Sequence, residues 1–254
     1  MKTEVSRAIF ESKVNPGHLV GQDDLVMNPQ FGDFLDALVH EGSDLFYRGE
    51  IAARVAEDCR AQGGTLTRAD FEGYTVKNRM PLSIGYADAR IYTNPPPSIG
   101  GLFIAFALSI LRDIGFPGAT FGSSAHLSAL VQAMVLTNDA RIENQLHEAT
   151  VEEAAKVLLS ENMIKAYCQR ITPYPRSYRG TTHISSVDSN GNAASLTLSN
   201  GDGCGYIVPG TGMMMNNMLG EGDIDPDGFN NWPLNTRMSS MMAPSLIFDP
   251  SGRV

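Results

Sequence analysis

From Asp44 to Arg60 the apolar residues Phe46, Tyr47, Ile51, Ala52, Val55, Ala56 and Cys59 recur at helical spacing. That pattern predicts one amphipathic helix, stopped by Gly63-Gly64. "TRADFEGY" then sets Thr67 three residues before Asp70, a capping-box-like start to a short helix. "PLSIGYADARIYTN" predicts two short strands turning between Gly85 and Asp88, and "PPPSIGG" a stiff loop feeding a buried helix, "GLFIAFALSIL". Two or three further helices are expected between Ser123 and about Arg170. After Tyr174-Pro175 the period changes from helical to alternating. "HISSVD" and "AASLTL" read as strands flanking the turn "SNGN", and Gly, Asn and Met dominate residues 200–231. The chain is thus α+β, mainly helical at first and β-rich afterwards.

Composition narrows the function. An apolar fraction of 43% over 254 residues supports a packed core in one sizeable domain or two small ones. A net charge of −9 without a dense Lys/Arg run argues against nucleic acid and anionic membranes as partners, and leaves small molecules. Cys59, Cys168 and Cys204 follow neither a disulfide nor a zinc spacing, so they are expected to be core thiols. With no export-signal pattern and no apolar run of membrane-spanning length, the chain as written reads as soluble and cytoplasmic by default.

"GDIDPDGFNN" places Asp223, Asp225 and Asp227 at alternate positions, as the first half of a calcium loop would. Leu234 stands where the bidentate glutamate belongs and Pro226 sits inside the loop, so a solvated acidic turn is expected and no metal. "GDGCG" lacks the spacing of a phosphate loop and is expected to give close backbone approach, and the methionines from Met213 to Met242 are expected to fill core gaps.

"RGTTHISSVDSNGN", Arg179 to Asn192, has two readings. Threonine and serine suit strand edges, and the stretch can be a plain hairpin. Alternatively, the Gly180-Thr181 bond is a self-cleavage point. A threonine hydroxyl needs an adjacent base, and a freed α-amine with a reference pKa of about 7.7–8.0 supplies one on the same residue. Gly180, lacking a Cβ, leaves its carbonyl open to attack, and the β-branch of Thr181 restricts χ1.

From about Asp44 to Phe248 the chain resembles the γ-glutamyltransferases (γ-glutamyltranspeptidases, glutathione hydrolases). The likeness lies in "FYRGEIAARVAEDCRAQGG", "PPPSIGG", "TTHISSVDSNGNAASLTLSNGDGCGYIVPGTGMMMNN" and "SSMMAPSLIF", met in the family's order. The resemblance implies an αββα sandwich of the N-terminal-nucleophile hydrolase type, incomplete at both ends, and a zymogen that cleaves itself. Residues 1–180 would be the C-terminal part of the large subunit and 181–254 the start of the small one, together one structural domain and a heterodimer after cleavage. Thr181 would be the nucleophile. Thr197 would hydrogen-bond its amine, with Ser199 as competitor because of one inserted residue, and Asn200 would hold the amino-acid end of the donor. Glu221, where the family has aspartate, would bind the donor ammonium; Met218 replaces a family glutamine. Ser239 and Ser240 would bind the donor carboxylate.

The oxyanion diglycine would follow shortly after Val254, and the carboxylate-clamping arginine would belong to the N-terminal part of the large subunit. The implied reaction transfers a γ-glutamyl group from a glutathione-like donor to water, an amino acid or a peptide, without a cofactor. The alternatives are an amide acylase of the same fold, acting on β-lactam side chains, and a non-catalytic remnant.

Overall fold

The computed structural model describes residues 4–115, 120–144, 151–169, 181–222, 224 and 231–254. Gly180 and the aspartates 223, 225 and 227 lie outside them. The chain forms two compact units, Met1–Asn78 with Asp202–Asn217, and Arg79–Gly201 with Met218–Val254. Each draws residues from both sides of position 180, so the expected subunit division at that point does not coincide with the division into units.

The first unit is built from α1 (Glu4–Phe10), α2 (Pro29–Glu41), α3 (Asp44–Tyr47), α4 (Glu50–Ala61) and α5 (Arg68–Gly73). The single helix expected over Asp44–Arg60 is two. Gly49 is extended (φ −84°, ψ −162°) and a Cβ there would lie 2.5 Å from the Leu45 carbonyl oxygen, so the chain turns sharply between α3 and α4. The capping signal at Thr67 is realised: the Asp70 carboxylate accepts from the Thr67 amide and hydroxyl, and these bonds hold its pKa below the ordinary value. Ala52, Val55 and Phe71 pack with Val208 from the returning segment, and the Phe46 and Phe71 rings meet edge to face. That segment doubles back on itself through the bonds Cys204 N to Met215 O, Met215 N to Tyr206 O and Val208 N to Met213 O. It is tied to the helices by Tyr206 Oη donating to Asp58, Arg54 to the Pro209 carbonyl, and Asn28 Nδ2 to the Gly212 carbonyl. Burial, then the Asp58 carboxylate, push the Tyr206 phenol well above its usual pKa.

In the second unit β1 (Leu82–Tyr86) and β2 (Ala89–Thr93) form the expected hairpin, and β5 (Leu246–Phe248) pairs antiparallel with β2. The hairpin β3 (Thr182–Val187) and β4 (Ala193–Leu198) makes a second sheet, with β4 approaching β5. The helical layer comprises α6 (Ile99–Ile114), α7 (Ser124–Glu143), α8 (Val151–Leu158) and α9 (Glu161–Cys168). Helix α6 is apolar nearly all round because it lies between α7, α9 and β1; Leu102, Phe106 and Ile110 are fully buried. Each such side chain contributes about 1.5–3 kcal/mol. The helix ends at Gly115, whose left-handed φ of 66° lets its amide reach the Leu111 carbonyl. Of the methionines expected to fill the core, Met218 is buried, Met213 and Met215 are half-buried and Met241 is exposed. Among the described residues, no helix is long and apolar enough to cross a membrane.

Candidate active site

The turn of the β3–β4 hairpin is held from within. Asp188 N donates to Asn192 O, Gly191 takes a left-handed φ of 82°, and the Asp188 carboxylate accepts from the amides of Asn190 and Asn192 and from the Asn192 side chain. The Asn192 contacts, the largest cause, keep the Asp188 pKa low. This turn fixes the register Thr182↔Leu198, His183↔Thr197, Ile184↔Leu196 and Ser185↔Ser195.

Alternation then sorts the side chains. One face carries His183 and Ser185 from β3 with Ser195 and Thr197 from β4; the other carries Ile184, Leu196 and Leu198. On β4 the hydroxyl face is the more buried one, whereas Leu196 and Leu198 remain 48% and 53% exposed. That reverses the usual polar-out, apolar-in order of a half-buried sheet. Thr181 is exposed and directly precedes β3, two residues before His183; the ladder ends at Thr182↔Leu198, and Ser199 directly follows β4.

The expected partner Thr197 is engaged elsewhere. His183 Nδ1 lies 2.8 Å from Thr197 Oγ1, and its Nε2 2.9 Å from Ser185 Oγ. Among the described residues no hydrogen bond joins Thr181 to Thr197. Ser199 Oγ accepts from the Gly201 amide just beyond Asn200, and Asn200 is exposed at the end of β4. His183 was not singled out from the sequence, although the alternation T-x-H-x-S opposite S-x-T-x-S already puts it on this face.

Ser239 and Ser240 sit on the segment that runs along the start of α6. The amides of Ile99 and Gly100 both donate to the Ser240 carbonyl, and Ser98 Oγ donates to the carbonyls of Ser240 and Met242. The Ser240 hydroxyl accepts from the Met242 amide, while Ser239 is half-buried. A Cβ on Gly100 would lie 2.2 Å from the Met241 carbonyl oxygen, and one on Gly101 2.1 Å from that of Asn94. "PPPSIGG" therefore has a structural use that the sequence did not reveal: Ser98 and the first amides of α6 hold the Ser240 carbonyl, Gly100 admits the Met241 carbonyl and Gly101 that of Asn94. Glu221 is half-buried after a 3₁₀ turn over Met218–Gly220, its amide bonded to the Met218 carbonyl.

Ser195, whose buried hydroxyl has no hydrogen-bond partner among the described residues, lines an open cleft of about 950 Å³ with Arg79, Arg90, Tyr92 and Asp249. None of Thr181, Thr197, Asn200, Glu221, Ser239 and Ser240 lines that cleft. Among the described residues no group of His, Cys, Asp and Glu could hold a metal ion.

A family model described as gamma-glutamyltranspeptidase matches residues 2–254. Relatives include the glutathione hydrolase proenzymes of Escherichia coli (strain K12), 25% identical over 96% of this chain and 46% of that protein, and of Pseudomonas sp. (strain A14), 31% identical over 84% and 39%. The chain thus spans about half the length of the curated relatives it matches, or less. Among solved structures, a cephalosporin acylase from Bacillus halodurans superposes with a TM-score of 0.76 at 23% identity, covering 100% of this chain and 48% of the acylase. The γ-glutamyltranspeptidase of Helicobacter pylori gives 0.56 at 23%, covering 69% and 50%. These neighbours share the N-terminal-nucleophile hydrolase fold that the sequence led us to expect. Matched by the family model along almost its whole length, the chain belongs to the γ-glutamyltranspeptidase family.

Proposed function

We propose that the protein transfers a γ-glutamyl group from a glutathione-like γ-glutamyl amide to water, an amino acid or a peptide, through an acyl ester on Thr181. The observation that carries this reading is the family match together with the position of Thr181, exposed directly before the β3–β4 hairpin. Maturation comes first. The Thr181 hydroxyl attacks the Gly180 carbonyl and the acyl group passes from nitrogen to oxygen, which frees the Thr181 amine; water then hydrolyses the ester, releasing the Gly180 carboxylate and restoring the hydroxyl. Large and small subunits result, and they remain together as a heterodimer.

In turnover that amine takes the hydroxyl proton as Oγ attacks the donor γ-carbonyl. The departing amine of the donor receives the proton, and water or an acceptor amine then releases glutamate or the new γ-glutamyl product. For the second hydroxyl beside the nucleophile, Ser199 competes with Thr197, because Thr197 is bonded to His183 while Ser199 directly follows β4 and Thr181 directly precedes β3. Asn200 and Glu221 would hold the amino-acid end of the donor, and Ser239 and Ser240 its carboxylate.

A second reading, an amide acylase, is favoured by two observations: the superposition on the cephalosporin acylase over the whole chain, and the presence of Met218 and Glu221 where the family has glutamine and aspartate. One experiment separates the readings. The full gene product and its Thr181→Ala and Glu221→Ala variants are analysed by mass spectrometry and assayed with a γ-glutamyl anilide and with a β-lactam side-chain amide that lacks an α-ammonium group. The proposal expects Thr181→Ala to stay uncut and inactive, and Glu221→Ala to mature normally with KM for the γ-glutamyl anilide raised about tenfold, the worth of one charge-assisted hydrogen bond. Normal maturation of Thr181→Ala would refute the nucleophile. Turnover of the β-lactam amide alone would favour the acylase.

A further inference from the structure

We propose that His183 is a positioning residue for the γ-glutamyl transfer reaction, acting through Thr197 to order the hydroxyl face beside Thr181; this rests on the reading of Thr181 as nucleophile. Both imidazole nitrogens are engaged, Nδ1 with Thr197 Oγ1 at 2.8 Å and Nε2 with Ser185 Oγ at 2.9 Å. A neutral imidazole has one N–H and one lone pair, so one hydroxyl must accept from the ring while the other donates to it. The proton of one hydroxyl and a lone pair of the other are thereby aimed at the ring, which cannot rotate without losing both contacts.

Thr197 is the first residue of that face below Ser199, about 7 Å along the strand, and it faces His183 in the ladder one same-face step from Thr181. Its β-branch leaves few χ1 rotamers, and the histidine contact selects among them. The His183 contact thus fixes the Thr197 side chain at the end of the hairpin where Thr181 and Ser199 flank the strands. A histidine that merely stabilised the hairpin would contribute to folding and leave turnover alone.

The test uses two isosteres in the full gene product. An asparagine amide overlays the Nδ1 position and can keep the Thr197 contact; a glutamine amide overlays Nε2 and keeps the Ser185 contact instead. With a γ-glutamyl anilide, His183→Gln should lower kcat about tenfold, the loss expected from one neutral hydrogen bond, with KM unchanged. His183→Asn should retain most of kcat. Thr197→Val should match His183→Gln, and the combined variant should be no worse than either, since both delete the same contact. Equal kcat values for the glutamine and asparagine variants would overturn the proposal. Where the His183 variants do not yield folded protein, Thr197→Val decides, because it exchanges one hydroxyl for a methyl: full kcat there also overturns it. Thr181→Ala run alongside separates the two claims. Activity in that variant removes the nucleophile reading, whereas an inactive Thr181→Ala beside a fully active His183→Gln removes only the positioning role.

Discussion

Alanine at Gly100 should destabilise the protein, although helix propensity alone predicts the opposite. Gly100 and Gly101 are the second and third residues of α6, and replacing a helical glycine by alanine ordinarily contributes about 0.5–1 kcal/mol. Here the added methyl would lie 2.2 Å from the Met241 carbonyl oxygen at position 100, and 2.1 Å from that of Asn94 at position 101. Optimal nonbonded separations are about 3.5–4 Å, so a backbone segment must move by more than 1 Å, and no side-chain rotation relieves the clash. Overpacking costs about 1–3 kcal/mol, and with a carbonyl as the obstacle the upper part of that range applies. The net loss is about 2 kcal/mol, a fall of roughly 4–8 °C in melting temperature for a protein of this size.

Gly32, also helical, is the control. Nothing lies within 4 Å of its would-be Cβ, so Gly32→Ala should raise the melting temperature. Circular dichroism melts of Gly32→Ala, Gly100→Ala and Gly101→Ala against the parent measure all three. Because Met241 adjoins Ser240, Gly100→Ala should also raise KM for the γ-glutamyl anilide. A Gly100→Ala protein that melts at or above the parent temperature would refute the close approach of α6 to residues 240–242.

Two further outcomes concern titration in the first unit. A Tyr206 phenol with a raised folded-state pKa binds its proton more tightly folded than unfolded, so its contribution is fully present below about pH 10 and is lost as pH rises above it. The melting-temperature difference between parent and Tyr206→Phe should therefore shrink between pH 9 and pH 11; a constant difference would refute the raised folded-state pKa of the phenol. Asp70 has the opposite sign. Its depressed pKa contributes stability above about pH 4 that is lost as pH falls through the folded value, so Asp70→Asn should lower the melting temperature at pH 7 and the deficit should narrow as the pH falls below about 4.

What could be read from the sequence follows the range of the forces involved. The β3–β4 hairpin and the start of α5 were legible because their causes are local: Gly191 in its turn, alternation on both strands, and Asp70 three residues after Thr67. The break between α3 and α4 was missed because Gly49 interrupts an apolar pattern that itself continues through it. Helix α2 went unread although Asn28 and Pro29 carry the start signal, a side-chain cap followed by proline in the first turn. The methionines misled because an adaptable side chain is equally at ease half-buried on a loop. The seating of Ser240 on Ser98 spans 142 residues, and no periodicity reports a contact of that range. For the candidate site, the types of residue were legible; which hydroxyl faces which depended on the ladder register.

The division of both compact units across position 180 bears on how a cleaved form would come apart. β2, on one side of that position, is zipped to β5 on the other, and the helices of the first unit are closed by the segment Asp202–Asn217. A cut at Gly180-Thr181 would leave every one of these contacts in place while removing the only covalent link between them. Unfolding of the cut protein would then release two chains, a change of molecularity, and its melting temperature would depend on protein concentration by mass action. The uncut Thr181→Ala chain, unfolding as one molecule, would melt at the same temperature at any dilution. Cleavage there would exchange a concentration-independent stability for one that dilution erodes, and the interlocked halves would make the dissociation of the two pieces and their unfolding a single event.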